Sequence, residues 1–520
     1  MRFYSKGGND PLEHRIIAQR HHLLFVAISG AVFGCAPPVR ICNAGECRAA
    51  HANTTNSRES TIPFNRHVAR TPPMGYFSSG VGLGPLGNAH EPSVILSNGL
   101  DSSPQPLVVR SLDTRQRPRW YSGDLDYHGR VSLGDVDADG INDAAVAVLF
   151  GQDLAFQEGG FKVYRGEGSA FTKQPVQRVS KAATLAMGLG DLDGDGDLDL
   201  ALGVMAENGQ FAAWPPPQPG PVRIYGNERG KFSENPIWQS EEKSYVGAVT
   251  LADINLDGLM DIVAAGDRLR VYFGKPREGG GSLPPYQANW RSRESWQVGY
   301  ALSVTTLGSL KRRGVVVSPT CVGGNDCKAQ PIFAYVPEVT AQESNAVWQS
   351  GIQGVGGGLA TADFNNDGVP DLVGGQIFNT AAMEAHPLYF FPGTADGFTT
   401  NPTLATETLF VASDVTTGLG AEPQRGVNAT ESFQSEIGAS VVTVQHPIWA
   451  VHAASINGQR LPLDAFAYAI GSDAVSLRSG TNIGTVTVSY QWIPNPDVVV
   501  AEGRPAWGSG VLPNLAAGLR

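Results

Sequence analysis

Four short stretches of the chain set aspartates on alternate residues directly ahead of an apolar run: "GDVDADGINDAAVAV" (134–148), "GDLDGDGDLDLALG" (190–203), "ADINLDGLMDIVAA" (252–265) and "ADFNNDGVPDLVGG" (362–375). Aspartate is disfavoured in strands, so carboxylates packed at a strand mouth need a physical reason. Their first aspartates, Asp135, Asp191, Asp253 and Asp363, are separated by 56, 62 and 110 residues. The last gap is two periods of 55, which places a degenerate copy at "YALSVTTLGSLKRRGVVVSP" (300–319), where Gly308, Ser309 and the basic run 311–313 replace the acids. "GVGLGPLGNAHEPSVILSNG" (80–99) is a second copy without acids, giving six units. A period of tens of residues overrides any local assignment of structure.

After each unit comes a short β-rich run: "PLVVRS", "FKVYRG", "PVRIYG", "RLRVYFG", "PIFAYVP" and "PLYFFPG". A Trp-containing approach precedes several units, as in "RWYSGD", "IWQSEE", "SWQVGY" and "VWQSGI". A unit therefore holds four strands: the approach, the strand entering the Asp loop, the strand leaving it and the Tyr-rich strand. Four strands at a period of 50 to 60 residues predict a β-propeller blade. The 63 glycines and 17% charged residues suit short strands and tight turns better than long surface helices.

The Asp loops have the chemistry of a hard-cation site. Calcium takes six to eight oxygen ligands. In the first loop Asp135, Asp137, Asp139 and Asp143 stand at positions 1, 3, 5 and 9, with Gly140 at the turn and the Ile141 carbonyl at position 7. The second offers Asp191, Asp193, Asp195 and Asp199 with the Asp197 carbonyl. The third offers Asp253, Asn255, Asp257 and Asp261 with that of Leu259, and the fourth Asp363, Asn365, Asp367 and Asp371 with that of Val369. The asparagines make the last two loops the weaker sites. An EF-hand needs a Glu at position 12 and a following helix; here position 12 is Val146, Leu202, Ala264 or Gly374. Up to four Ca2+ ions are expected, as structural staples whose ligands all come from one loop, without the open position of a catalytic metal.

With these loops, each followed by a short hydrophobic strand, the chain resembles the FG-GAP (VCBS-type) repeats of integrin alpha-subunit propellers and of many bacterial surface proteins. The resemblance implies an all-β, six- or seven-bladed, calcium-binding β-propeller, placed at 62–424, with a seventh blade drawn from 400–424 and the segment 62–79. The turns opposite the Asp loops are long at 150–160, 205–220 and 374–386, and in integrins that face carries ligand. Phe156, Phe211 and Trp214 are the candidate ligand contacts there.

Residues 425–494 change pattern and read as a small β-sandwich, similar to immunoglobulin-like modules of exported bacterial proteins; 495–520 read as a loosely ordered tail. At the other end, a net positive segment and the apolar run 23–34 precede Cys35. That architecture reads as a signal peptide over 1–35, and "VFGC" resembles a lipobox with Cys35 as the lipidated residue. Residues 36–61 then form a flexible tether. Cleavage near "AHA" (50–52) with simple secretion is the alternative. Cys42 with Cys47, and Cys321 with Cys327, form two local pairs that fit disulfides in an oxidising compartment.

The net charge of -11 excludes a basic nucleic-acid footprint, and 15 of the acids lie in the four Asp stretches. No GxSxG, HExxH or P-loop pattern occurs, so no catalytic residue is assigned. The expectation is a calcium-stabilised surface binding or adhesion protein, in the cell envelope or secreted, whose partners are an extracellular glycan or protein and, through the lipid anchor, the membrane. The alternatives are an exported polysaccharide-active lyase or hydrolase and a structural envelope protein.

Overall fold

The computed structural model describes residues 40–43, 46–49 and 69–70, most of 78–405, 411–418, most of 427–492, 498–504 and 515–516. Within those stretches 209–217, 278–281, 309–311, 321–328 and 376–386 lie outside the description, together with shorter pieces. The segment expected as a signal peptide, Cys35 and most of the expected tether lie outside it too.

Six antiparallel sheets follow one another along the chain. In the second, Tyr127–Gly134 enters the Asp loop, Asp143–Phe150 leaves it, Gly160–Tyr164 is the Tyr-rich strand and Gln177–Ser180 is the outer strand. The others repeat that order, with inner strands Ser78–Pro85, Ala183–Gly190, Ala248–Ala252, Val298–Leu307 and Leu359–Ala362. Each inner strand packs on the next, which is the arrangement of a propeller. Both degenerate units form full four-stranded sheets, so the aspartates are not needed to make the blade. The close approach of inner strands depends on glycine. A Cβ on Gly129 would lie 2.8 Å from the Leu185 carbonyl oxygen, and one on Gly188 3.0 Å from the Thr250 Cα.

The approach segments belong elsewhere than expected. Trp120–Tyr121, Trp238–Gln239 and Trp348–Gln349 are the outer strands of the preceding blades, so the sequence unit is shifted by one strand from the structural blade. "SWQVGY" is not an approach strand. Trp290, in Trp290–Ser292, takes that role, while Trp296 is buried and donates from its indole N–H to the Gly266 carbonyl at 2.8 Å.

The shift has an energetic purpose. Each outer Trp meets the ring ending the next blade's third strand edge-on: Trp120 with Tyr164, Trp238 with Tyr272, Trp290 with Tyr335 and Trp348 with Phe391, at 5.3 to 6.1 Å. Four residues beyond three of these tryptophans a carboxylate accepts the same tyrosine's hydroxyl. Tyr164 donates to Asp124 at 2.8 Å, Tyr272 to Glu242 at 3.1 Å and Tyr335 to Glu294 at 2.9 Å. In the fourth case both partners are lost together, as Ile352 and Phe391. Buried aromatic pairs closed by a hydrogen bond to a charged group hold blade to blade.

Between the sixth and first blades stands a ladder of Val411–Gly418 with Val498–Arg504, whose first strand packs on inner strands of both neighbours. Ala69–Arg70 pairs with Leu515–Ala516. Two pieces of the segment expected as a loose tail, Val498–Arg504 and Leu515–Ala516, are thus strands, the Val498 to Val500 run being strand composition. The module of 427–492 is inserted between two paired strands instead of being appended. Its sheets are Val427–Ser435, Gly484–Trp492, Ile448–Ile456 and Gln459–Arg460 on one side, and Val441–Thr443, Ala474–Leu477 and Phe466–Ala467 on the other. They share a core of Val442, Val475, Val486, Val488 and Tyr490. No helix among the described residues is long and apolar enough to cross a membrane.

Replacing Tyr335 by Phe removes a hydrogen bond to a charged acceptor and is expected to cost about 1.5–3 kcal/mol. Adding Glu294→Ile, which copies the Phe391 and Ile352 pair, should recover part of that loss. Urea unfolding of the single and double variants measures both, and equal stability of Tyr335→Phe and the parent would contradict the latch.

Candidate metal centres

All four Asp loops are built by the same hydrogen bonds. The ninth-position aspartate is buried in every loop. One of its oxygens accepts from the backbone N–H at position 2: Asp143 from Val136, Asp199 from Leu192, Asp261 from Ile254 and Asp371 from Phe364, at 2.8 to 3.0 Å. The other accepts from the backbone N–H of the second residue past the third strand, which is Gly166, Asn227, Gly274 or Gly393. A single side chain thereby ties the loop to the far side of its own blade.

The first aspartate of each loop closes the turn. Its Oδ2 accepts from the position-6 glycine: Asp135 from Gly140, Asp191 from Gly196, Asp253 from Gly258 and Asp363 from Gly368, at 2.8 to 3.0 Å. Position 5 accepts from the N–H at position 7, as Asp139 does from Ile141, Asp195 from Asp197, Asp257 from Leu259 and Asp367 from Val369. In the third and fourth loops Asn255 and Asn365 donate from their amides to Asp257 and Asp367. The Asp197 carboxylate is turned out of its loop and accepts from the Arg229 backbone.

Carboxylate oxygens of Asp135, Asp137 and Asp143 lie within 4.8 Å of one another, as do those of Asp191, Asp193 and Asp199. An oxygen-only donor set at this spacing fits a hard cation. The electrostatics agree. Burial, with neighbouring aspartates adding to it, pushes Asp135 up to about 6, Asp143 and Asp371 to about 7, and Asp261 to about 8. Asp191 and Asp199 are raised well above the usual range for the same reasons. Arg165 forms an ion pair with Asp137, the one cationic side chain drawn directly onto the first loop's carboxylates among the described residues.

The inserted module sits on this same face. The Ile470 N–H donates to the Leu133 carbonyl, Val441 to that of Gly258, and the Thr443 hydroxyl to Asp253 at 3.2 Å. Trp449 packs among Val81, Leu83 and Val94 of the first blade. Arg313, part of the basic run that replaces an Asp loop, is almost buried in a bidentate pair with Asp473 of the module. The lost acids of the fifth blade are thus replaced by a docking contact, which no repeat pattern in one sequence signals.

On the opposite side the expected ligand residues fare differently. Phe156 is 2% exposed and packs against Phe150 in the core, so it offers no surface contact. Its 3-10 turn, Phe156–Glu158, folds the loop back on its own blade. Phe211 and Trp214 lie outside the described residues, as do Cys321 and Cys327. Cys42 and Cys47 are direct partners in the Arg40–Asn43 and Glu46–Ala49 ladder.

Sequence reading missed a buried polar group between the first two blades: Asp124, Asp126 and His128, with ligand atoms also within 4.8 Å. A cation already stands there, because Lys162, fully buried, forms ion pairs with both aspartates, and Arg178 adds a contact to Asp126 at 2.8 Å. Despite burial, which opposes ionisation, Lys162 holds Asp124 below its ordinary value. Burial, with the Lys162 charge, lowers His128 to about 4, and its Nε2 has no hydrogen-bond partner. The "FKVY" strand shows Lys162 in a strand but gives no sign of its partners.

Residues 135–202, spanning the first two Asp loops, match the FG-GAP-like repeat family. The chain carries these repeats within a β-propeller. No curated protein matches it. Among solved structures it is similar to the crystal structure of exotype rhamnogalacturonan lyase YesX, at 12% identity and a TM-score of 0.35, over 59% of this chain and 56% of that one. The chain therefore spans little more than half the length of that protein, and a likeness at this score carries no functional argument.

The raised carboxyls predict an unusual pH response without metal. Their folded pKa values lie above the ordinary unfolded value of about 3.9. Their stabilising contribution is thus present at low pH and lost as pH rises through about 6 to 8. In excess chelator the melting temperature should fall between pH 5 and pH 8, and the Asp143→Asn and Asp261→Asn variants should show a smaller fall. A rising melting temperature over that range would contradict the loop electrostatics.

Proposed function

We propose that the protein is an exported, calcium-stabilised binding protein of the cell envelope, engaging an extracellular glycan or protein through the propeller face opposite its Asp loops. The observation that carries this reading is the placement of the inserted module. It covers the Asp-loop face through contacts with the first, second, third, fourth and fifth blades, and leaves the other face as the one with loops to present. Loops on a rigid scaffold are where recognition concentrates.

Calcium is the ion the loops suit. They offer carboxylates and a backbone carbonyl from one short segment, a shell too large and flexible for magnesium. Bound there, the ion would neutralise buried carboxylates that otherwise favour protonation. The residues themselves fix the loop to the third strand whether or not the ion is present. The ligands of each site come from one loop, and the module packs beside the first three loops, which supports a structural part for the ion and recognition on the opposite face.

On the proposed recognition face the long segments are 205–220 and 374–386, the 150–160 turn being folded back on its own blade. Glu207, at the root of 205–220, is held by Arg223 and by Lys243 at 3.0 Å, so its carboxylate is engaged in orienting that loop. Trp214 and Phe211 are the residues proposed to contact the ligand. Anchoring to the membrane through Cys35 is part of the same proposal.

Calcium should raise the melting temperature, and by more at pH 8 than at pH 5.5, since the proton it replaces is bound more weakly there. A glycan array and a panel of envelope proteins, probed with the calcium-loaded protein from residue 48 onward, test recognition. Binding that is lost on Trp214→Ala with melting unchanged is expected. Release of shortened products from a bound polysaccharide would overturn the binding reading in favour of an enzyme.

A further inference from the structure

The outer edges of the six blades are not treated alike. Four outer strands are two residues long: Trp120–Tyr121, Trp238–Gln239, Trp348–Gln349 and Leu404–Ala405. Short edges are a common protection against unwanted strand pairing. The fourth blade's is three residues, Trp290–Ser292, and it is covered. Glu343–Ser344 adds to it as a parallel fifth strand, with the Arg291 N–H donating to the Gln342 carbonyl and the Arg293 N–H to that of Ser344, both at 3.0 Å. Glu343 sits between the two arginines, 3.5 Å from Arg291 and 3.2 Å from Arg293. A basic edge thus receives an acidic extended segment.

The second blade has the longest outer strand of the six, Gln177–Ser180, and among the described residues nothing pairs with its outer side. Like the sixth blade, whose outer strand is Leu404–Ala405, it carries no outer tryptophan. Gln177, opposite Val163, holds the place that Trp290 takes opposite Val271, and Arg178, opposite Lys162, holds that of Arg291 opposite Arg270. A groove of about 560 Å³ runs along this strand, walled on the other side by Gly230 and Lys231 from the third blade. Arg165, Arg178, Lys181 and Lys231 line it against one acid, Glu234, and Val176 lies exposed in it. Arg165 is also paired with Asp137 and Arg178 with Asp126, so in a chain of net charge -11 the positive charge this groove offers a ligand rests on Lys181 and Lys231.

We propose that this edge is a docking site for an extended acidic segment of a partner protein, which adds to Gln177–Ser180 as a strand, as Glu343–Ser344 does on the fourth blade. Main-chain pairing supplies the affinity, the cations select acidic side chains, and Val176 takes an apolar residue. The site lies on the rim and is independent of the loops proposed above for recognition.

The probe is a fluorescein-labelled peptide of alternating Val and Glu, titrated against the calcium-loaded protein by anisotropy. Saturable binding is expected, weakened about tenfold or more by the double variant Lys181→Glu/Lys231→Glu with melting unchanged, and weakened also by salt. The same peptide with N-methylated backbone should bind at least tenfold more weakly, which separates strand addition from charge attraction alone. Three results would overturn the proposal: no saturable binding of the acidic peptide, equal binding of a Val and Lys peptide, or undiminished binding of the N-methylated form. Polygalacturonate displacing the peptide from the parent but not from the double variant would reassign the groove to an anionic glycan.

Discussion

The ninth-position aspartate is the contact on which each Asp loop depends. Asp143, Asp199, Asp261 and Asp371 are buried, and each ties the loop's second residue to the second residue past the third strand. A carboxylate accepting backbone N–H groups on both oxygens fixes a turn well, but burial makes its charge costly. The loop therefore holds a rigid oxygen cluster whose charge is unsatisfied, and that is the condition under which a cation binds strongly. The loop's turn and its candidate metal site are two consequences of one side chain.

Between blades the cohesion has another source. Glycines such as Gly129 and Gly188 let inner strands touch at the centre, while the Trp, Tyr and carboxylate latches join the rims. The second blade departs from this pattern, with Gln177 in place of Trp and Lys162 buried between Asp124 and Asp126. It is also where the outer strand is long and bare. Departure from the repeat and an unpaired edge coincide, as expected where a repeated unit has been given a separate task.

Much of the propeller was legible because its signals are local and periodic. The aspartates, the turn glycines and the β-rich runs recur at fixed offsets, and the two degenerate units kept their strand alternation at 80–99 and 300–319. What was not legible depends on partners far apart in sequence. Trp120 reads as the start of one unit but pairs with Val109 of the unit before. Val498 to Arg504 looks like the end of a tail until its partner, Val411 to Gly418, upstream across an inserted module, is known. Arg313 reads as a solvated turn because nothing near it in the chain points to Asp473. Phe156 reads as an exposed loop aromatic, yet a single 3-10 turn brings it onto Phe150.

The central claim is that the four Asp loops are cation sites held open by buried carboxylates. Equilibrium dialysis against radioactive calcium tests it most directly, by counting ions on the parent and on variants in which Asp143, Asp199, Asp261 or Asp371 is replaced by Asn. The account predicts up to four ions in two affinity classes, the tighter pair in the all-aspartate loops, with each replacement weakening or removing one ion of its own class. Calcium bound undiminished when all four are replaced, or no calcium bound by the folded parent, would contradict it.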